Sequence, residues 1–327
     1  MSPTVVEDSQ EALENEIADL ELRLRKARDR LVAKSKGHSL SPSTTTPSIP
    51  QAPNSAQHYL LLLSDSALPL GSFAFSSGLE SYLAHTRQRG RSNLTSTSSA
   101  TASASAFSSF LPLSLSSYAG TTLPFVLAAH RDPTPEVVAA LDDAQDAAVV
   151  CTVGRRASVA QGRALLGIWE KSMAAAADPG GSLAPYAEML RRRAPAERST
   201  TTAVGGGGGG GAEEVVGEGG GGPPLAHAHL APLFGAVAAL CGLGLRQAAY
   251  VFLLGHVKAL VSAAVRAGLF GPYQAQRILA GAEVQNLLAE AVEREWDTPV
   301  EEAGQGVPVM DLWFGRHELL YSRIFNS

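Results

Sequence analysis

Apolar and polar positions alternate along the chain in helical, not strand, periods. Leu13, Ile17, Leu20, Leu24, Ala27 and Leu31 step by 4, 3, 4, 3 and 4, an a/d seam over three heptads. Asp8 and Glu11 suit a capping pair at its start, and acids precede bases along it, as the helix dipole favours. The seam predicts a helix over residues 8–34, either solvated on a tether or paired with a second chain. Leu60 to Leu63 reads as an apolar helical stretch ending at Ser64-Asp65, and Gly78 to Ala84 as its resumption after a turn. Thr134-Pro135-Glu136 supplies N-cap, N1 and N2 residues for a long helix reaching toward Trp169. Arg246 to Ala267 is apolar on most of its surface and should be central, with Gly268 at its C′ position. Pro272 opens another helix, in which Ile278, Leu279, Ala282, Leu288 and Val292 share a face. No alternating strand pattern of useful length appears. The fold class predicted is all-α: a single helical bundle domain with a separate N-terminal helix and low-complexity loop insertions.

Three stretches break the pattern. Residues 35–56 are rich in Ser, Thr and Pro, residues 92–109 hold 11 Ser or Thr, and residues 205–222 hold 12 Gly. Such segments bury too little apolar surface to offset the entropy of ordering them. The first reads as a linker and the others as loop insertions near 88–109 and 196–222. The domain division is therefore 1–56, heptad helix plus linker, and 57–327, the helical domain. Without the linker region and insertions, 222 residues remain, an ordinary domain size.

Composition narrows the class. Net charge is -5, so nothing marks a nucleic-acid binder. Aromatics are 6% while Ala and Gly abound, which favours closely packed helices. The start of the chain is polar and acidic, unlike a secretory leader, and the apolar run Leu230 to Leu245 is short for a membrane span. Two cysteines, Cys151 and Cys241, make neither a disulfide framework nor a four-Cys zinc site. No P-loop, dinucleotide fingerprint or nucleophile elbow is present. His227 and His229 flank one residue and could share a divalent ion, with no third ligand beside them in the sequence. His256, on the apolar helix, reads as a hydrogen-bonded core or interface histidine.

Three polar patterns remain as surface candidates. Arg155, Arg156, Ser158, Gln161 and Arg163 lie on the long helix, as a solvated face or a contact. Lys258, Ser262 and Arg266 step by four along an apolar helix; a basic stripe there must reach solvent or a partner. Residues 310–327 hold Trp313, Phe314, Tyr321 and Phe325 together with Arg316, His317 and Arg323, the composition of interface anchors. Such a tail should dock, onto its own domain or into another chain.

Four segments together resemble the urease accessory protein UreF family. They are LLLLSDSALPLGSFAFSSGLESY at 60–82, RRASVAQGRALL at 155–166, HLAPLFGAVAALCGL with LVSAAVRAGLFGPYQAQRIL at 229–243 and 260–279, and MDLWFGRHELLYSRIFNS at 310–327. In the first, Asp65, Leu68, Pro69, Gly71, Phe73, Phe75, Ser76, Gly78, Leu79 and Glu80 carry the likeness. Ala74 replaces a common hydroxyl residue and Asn326 a common basic one.

The resemblance implies an all-helical, often dimeric protein with no catalytic centre of its own and no stably bound cofactor. It implies partners UreD (or UreH), the GTPase UreG and apo-urease, to which the assembly delivers nickel, and a cytoplasmic setting without membrane or nucleic acid. The tail contact with UreD/UreH falls on Arg316, His317, Tyr321, Ser322, Arg323 and Phe325. A partner or dimer surface falls on Gly71, Phe73, Phe75, Gly78, Glu80, Arg156, Ser158, Gln161, Lys258, Ser262 and Arg266. Two other roles stay open at this point: regulation of UreG by an arginine finger from Arg155 or Arg156, and direct nickel binding by His227, His229 and His317.

Overall fold

The computed structural model describes residues 55–90, 99–201 and 227–326. The heptad segment, the linker up to residue 54 and the glycine run at 205–222 lie outside the described residues. Within them, every regular element is helical and no strand occurs. In chain order these are α1 (Ser55–Ser64), a 3-10 turn (Ser72–Ala74), α2 (Leu79–Gly90), α3 (Ser99–Arg131) and α4 (Pro135–Ala148). Next come α5 (Thr152–Ile168), which runs on through a π turn (Trp169–Met173), and α6 (Ala184–Thr201). Besides the short helical turns Ala174–Ala177 and Val300–Glu302, the remainder are α7 (Leu230–Leu240), α8 (Leu245–Arg266), α9 (Pro272–Ala280), α10 (Ala282–Glu295) and α11 (Val309–His317).

Helix α3 is the axis, packing on α4, α7, α8 and α10. Its buried side chains include Phe107, Phe110, Leu111, Leu115, Leu123 and Leu127. Helix α7 is buried at every residue from Leu230 to Ala238. The two cross closely because Gly235 has no side chain. A Cβ there would overlap the Val126 carbonyl oxygen and lie 3.0 Å from its carbon. The abundance of Ala and Gly thus translates into short interhelical distances.

Helix α8 is central as expected, with Val251, Leu253, Val257, Leu260 and Ala264 buried. It ends on Gly268 at φ 72. The amides of Gly268 and Leu269 bond back to Val265 and Ala264 oxygens at 3.0 Å each. That is the paired closure a left-handed C′ residue permits. His256 is a core histidine: Nε2 lies 3.1 Å from Ser114 Oγ and the ring stacks on Tyr118 at 3.9 Å.

Three sequence readings change. The long helix from Pro135 stops at Ala148, and α5 starts at Thr152. The adjacent β-branched Val149 and Val150 are poor helix formers, and Val149 is extended. The helix from Pro272 is likewise two helices, turned at Gly281, which is C-cap to one and N-cap to the next. Residues 99–109, read as part of an insertion, are the opening turns of α3, and Phe107 meets Phe270 edge-on at 5.2 Å. Buried aromatic surface here outweighs a Ser-rich composition.

Two helical stretches, Ser105–Arg131 and Leu245–Arg266, are long and apolar enough to cross a membrane. Both are core helices here, with 61% of their most apolar windows buried.

Candidate functional site

A clamp closes around His227-Ala228-His229. The Asp142 carboxylate, fully buried on α4, accepts the amides of His227, Ala228 (2.9 Å) and His229 (2.6 Å). Ser158 Oγ accepts the next amide, Leu230 N, at 3.2 Å. The open N-terminus of α7 is thus capped from two other helices, where a negative charge also meets the helix dipole. Ala228 takes φ 69, a left-handed value that lets successive amides turn toward one carboxylate. Gly162 on α5 admits this segment. A Cβ at Gly162 would overlap the Ala228 carbonyl oxygen and stand 2.7 Å from the His229 carbonyl carbon.

The two imidazoles meet one carboxylate. His229 Nε2 is 2.9 Å from Asp146 Oδ1, and His227 Nε2 is 3.2 Å from Asp146 Oδ2. Arg155 Nε donates to Asp146 at 2.6 Å, and its guanidinium lies 3.0 Å from His227 Nδ1. Burial pushes the Asp146 carboxyl up, but hydrogen bonds from Arg155 and His229, with the charges of His227 and Arg155, outweigh it. The carboxyl ends below its ordinary 3.8. A carboxylate held low in the folded state contributes stability above its unfolded pKa and loses it as pH falls through the lower folded value. Asp146→Asn should therefore flatten the acid limb of the stability curve below about pH 4. Urea unfolding of both proteins at pH 3 and pH 6 checks this; equal slopes would exclude the coupling. Arg155 is thus occupied within the domain. Among the described residues no group of three or more His, Cys, Asp or Glu is arranged to hold a metal ion.

Beside the clamp lies a cavity of about 290 Å³. All four family-like segments contribute to its lining: Leu68, Leu70 and Phe75 from the first, Ser158 and Gln161 from the second, Phe234 and Ser262 from the third, Phe314 from the last. Gln161 Nε2 donates to Ala157 O at 3.2 Å. Lys258 Nζ donates to Ser64 O at 2.6 Å, and Arg266 donates to Phe73 O. The basic stripe on α8 therefore holds the 64–73 segment over the cavity. Gly71 (φ 72) within that segment and Gly78 (φ 82) beyond it take conformations unfavourable to other residues. Gly78 also faces α11, where a Cβ would come 3.2 Å from Trp313 Cβ.

The tail is the third feature. Trp313 packs edge-on to Tyr82 at 5.4 Å. Glu80, in the first turn of α2, gathers the end of α11 and the residues beyond it. Its carboxylate accepts Ile324 N at 2.7 Å, Phe325 N at 3.2 Å, and His317 Nε2 at 3.0 Å. Asn326 N donates to Ala74 O at 2.8 Å, and the Arg266 guanidinium lies 4.3 Å above the Phe325 ring. Glu318 joins Arg156 on α5 to Arg323 in the tail.

His317 and Phe325, read as partner contacts, are instead buried in the chain's own domain. The reason is Glu80: its carboxylate offers charge-assisted acceptors that a free tail would leave to water. Tyr321, Ser322 and Arg316 remain exposed. Around them Leu319 is 79% exposed and Ile324 62%. The tail thus docks on its own domain through some residues and displays others. Asp142, Gln145 and Asp146 were missed by sequence reasoning. Their signal is three polar residues at i, i+3 and i+4, beside buried Val138 and Leu141 on α4.

A sequence model of the UreF family matches residues 101–283. The chain is 34% identical over 270 residues to an uncharacterized urease accessory protein UreF-like of Schizosaccharomyces pombe, spanning 83% of this chain and 97% of that protein. It is 29% identical over 267 residues to urease accessory protein F of Oryza sativa subsp. indica, spanning 80% and 82%. With urease accessory protein 6 of Cryptococcus neoformans var. grubii it shares 27% over 326 residues, spanning 83% and 96%. All three are named as accessory proteins and not as enzymes. The match of the family model to more than half of the chain and the likeness over most of both chain lengths converge: this chain belongs to the UreF family of urease accessory proteins.

Proposed function

We propose that the chain acts in urease maturation as a scaffold with no chemistry of its own. It holds a UreD/UreH-type protein and the GTPase UreG on apo-urease while nickel enters the urease active site. It works in the cytoplasm, binds no cofactor stably, and leaves the handling of nickel to the complex. The observation that carries this is the tail. Its backbone is fixed by Glu80 and Phe325, while Leu319, Tyr321 and Ile324 stand in solvent. A row of exposed apolar side chains on an ordered segment is the form of an interface anchor. Ordering in advance also lowers the entropic cost of binding. Arg316 and Arg323 beside the row supply donors for register.

Co-purification of the chain with UreD/UreH, UreG and apo-urease, with nickel-dependent urease activity measured on the product, tests the reading. Retention of all three partners and restored activity is the expected result. Full activation without the chain would overturn it.

A further inference from the structure

We propose that Arg156 and Arg323 form a two-arginine fork that grips one acidic side chain of the partner docked on the tail, and that Glu318 fills the fork in the free chain as a stand-in for it. This rests on the reading that the tail is a partner contact. The fork stands at an open hollow of about 510 Å³, walled by Phe75, Val153 and Ile324. Arg156 comes from α5 and Arg323 from the tail, and each ends on one oxygen of the Glu318 carboxylate. Donors rooted in two different elements thus already stand at the spacing a carboxylate needs. The bonds from Arg156 and then Arg323 hold the Glu318 carboxyl below its ordinary 4.5.

Glu318 is nonetheless a resident that leaves easily. Its side chain is 39% exposed, and those of Arg156 and Arg323 are 61% and 41% exposed. Ion pairs this open contribute little to stability. The tail does not depend on them, since Glu80 accepts its amides and Asn326 N donates to Ala74 O. Glu318 is also the C-cap residue of α11. A carboxylate there faces the negative end of the helix dipole, so the helix itself does not favour an acid at this position.

Charge fixes the sign of the visitor. Two guanidiniums and one carboxylate line the hollow, and exposed Arg316 stands two residues before Glu318. The nearby Glu80 carboxylate is committed to His317 and two amides. A locally positive surface on a chain of net charge -5 draws an acidic group and repels a basic one. Leu319, Tyr321 and Ile324 are exposed along the same tail. A partner that covers this apolar row also excludes water from the fork, which strengthens the ion pairs it makes there.

Capture of the UreD/UreH-type protein by the full chain tests this, with affinity measured at about 50 and about 300 mM salt. Glutamine keeps the length and polarity of glutamate without its charge. Glu318→Gln therefore vacates the fork and should tighten capture about fivefold, while Arg156→Gln should weaken it about fivefold, the upper range for an exposed pair. The double variant should show no gain. Added salt should weaken capture by the natural chain, more steeply for Glu318→Gln and less steeply for Arg156→Gln. Capture unchanged or weaker in Glu318→Gln with an unchanged melting temperature overturns the proposal. So does capture by Arg156→Gln equal to that of the natural chain. Should Glu318→Gln loosen the tail and lower the melting temperature, Arg156→Gln and its salt dependence still decide. Tyr321→Ala separates the two levels. If it leaves capture undiminished, the tail reading falls and the fork with it; if it weakens capture while Glu318→Gln brings no gain, the fork alone falls.

Discussion

Gly162→Ala is expected to destabilise the domain by about 3 kcal/mol or more, the upper range for overpacking a core. The added methyl has no open direction. It overlaps the Ala228 carbonyl oxygen and crowds the His229 carbonyl carbon at 2.7 Å and Leu230 N at 2.8 Å. All three are backbone atoms, so no side-chain rotation relieves them. Moving the segment outward would lengthen the three hydrogen bonds its amides donate to Asp142 and the one from Leu230 N to Ser158 Oγ. Elsewhere, replacing a helix-interior glycine by alanine gains roughly 0.5–1 kcal/mol of helix propensity, so the expected sign is opposite to the helical default. Gly167→Ala, five residues on with nothing within 4 Å of its Cβ, is the internal control and should be neutral or stabilising. Chemical denaturation of the two variants measures the difference. Equal midpoints would show that α5 does not lean on the His-Ala-His segment.

The second large effect concerns the tail and its receptor Glu80. Glu80→Ala removes the acceptor of two amides and one imidazole at once. It should release the tail and weaken capture of UreD/UreH by about thirtyfold, the loss typical of a hot spot worth about 2 kcal/mol. Tyr321→Ala should weaken capture similarly without lowering the melting temperature, because that ring touches solvent in the free chain. Truncation after Met310 differs: it removes Trp313, Phe314, His317 and Phe325 from the core and should lower the melting temperature as well. Affinity and melting measured together on the three variants separate anchoring from display. Undiminished capture by Tyr321→Ala would mean that the exposed row is not the contact.

The helix boundaries that the chain punctuates strongly were legible in advance. Pro135, Pro272 and Gly268 each act through their own backbone geometry, and each stands where a cap was expected. The turn at Gly281 and the break at Val149-Val150 were not, since a glycine or a valine pair inside an apolar pattern is compatible with a continuing helix until packing decides. Phe107 and Phe110 were hidden by the serines around them. Of the site, Glu80 was named through resemblance, but its receiving role depends on residues more than 230 positions away. The His227 and His229 pair looked like an appendage of the glycine run. For His229 its partners Asp142 and Ser158 lie 87 and 71 positions upstream, a separation no local pattern reports.

The Gly235 crossing also carries a consequence for biosynthesis. Helix α3 finds its close neighbour α7 about a hundred residues later in the chain, and α7 is buried at every position from Leu230 to Ala238. At translation rates of about 5–20 residues per second, roughly 5–20 s pass between the two. During that interval the Val126 and Ala129 stretch of α3 stands without the helix that covers it. Ribosome-bound fragments ending before Leu230 should therefore recruit holding chaperones more strongly than fragments ending beyond Arg266.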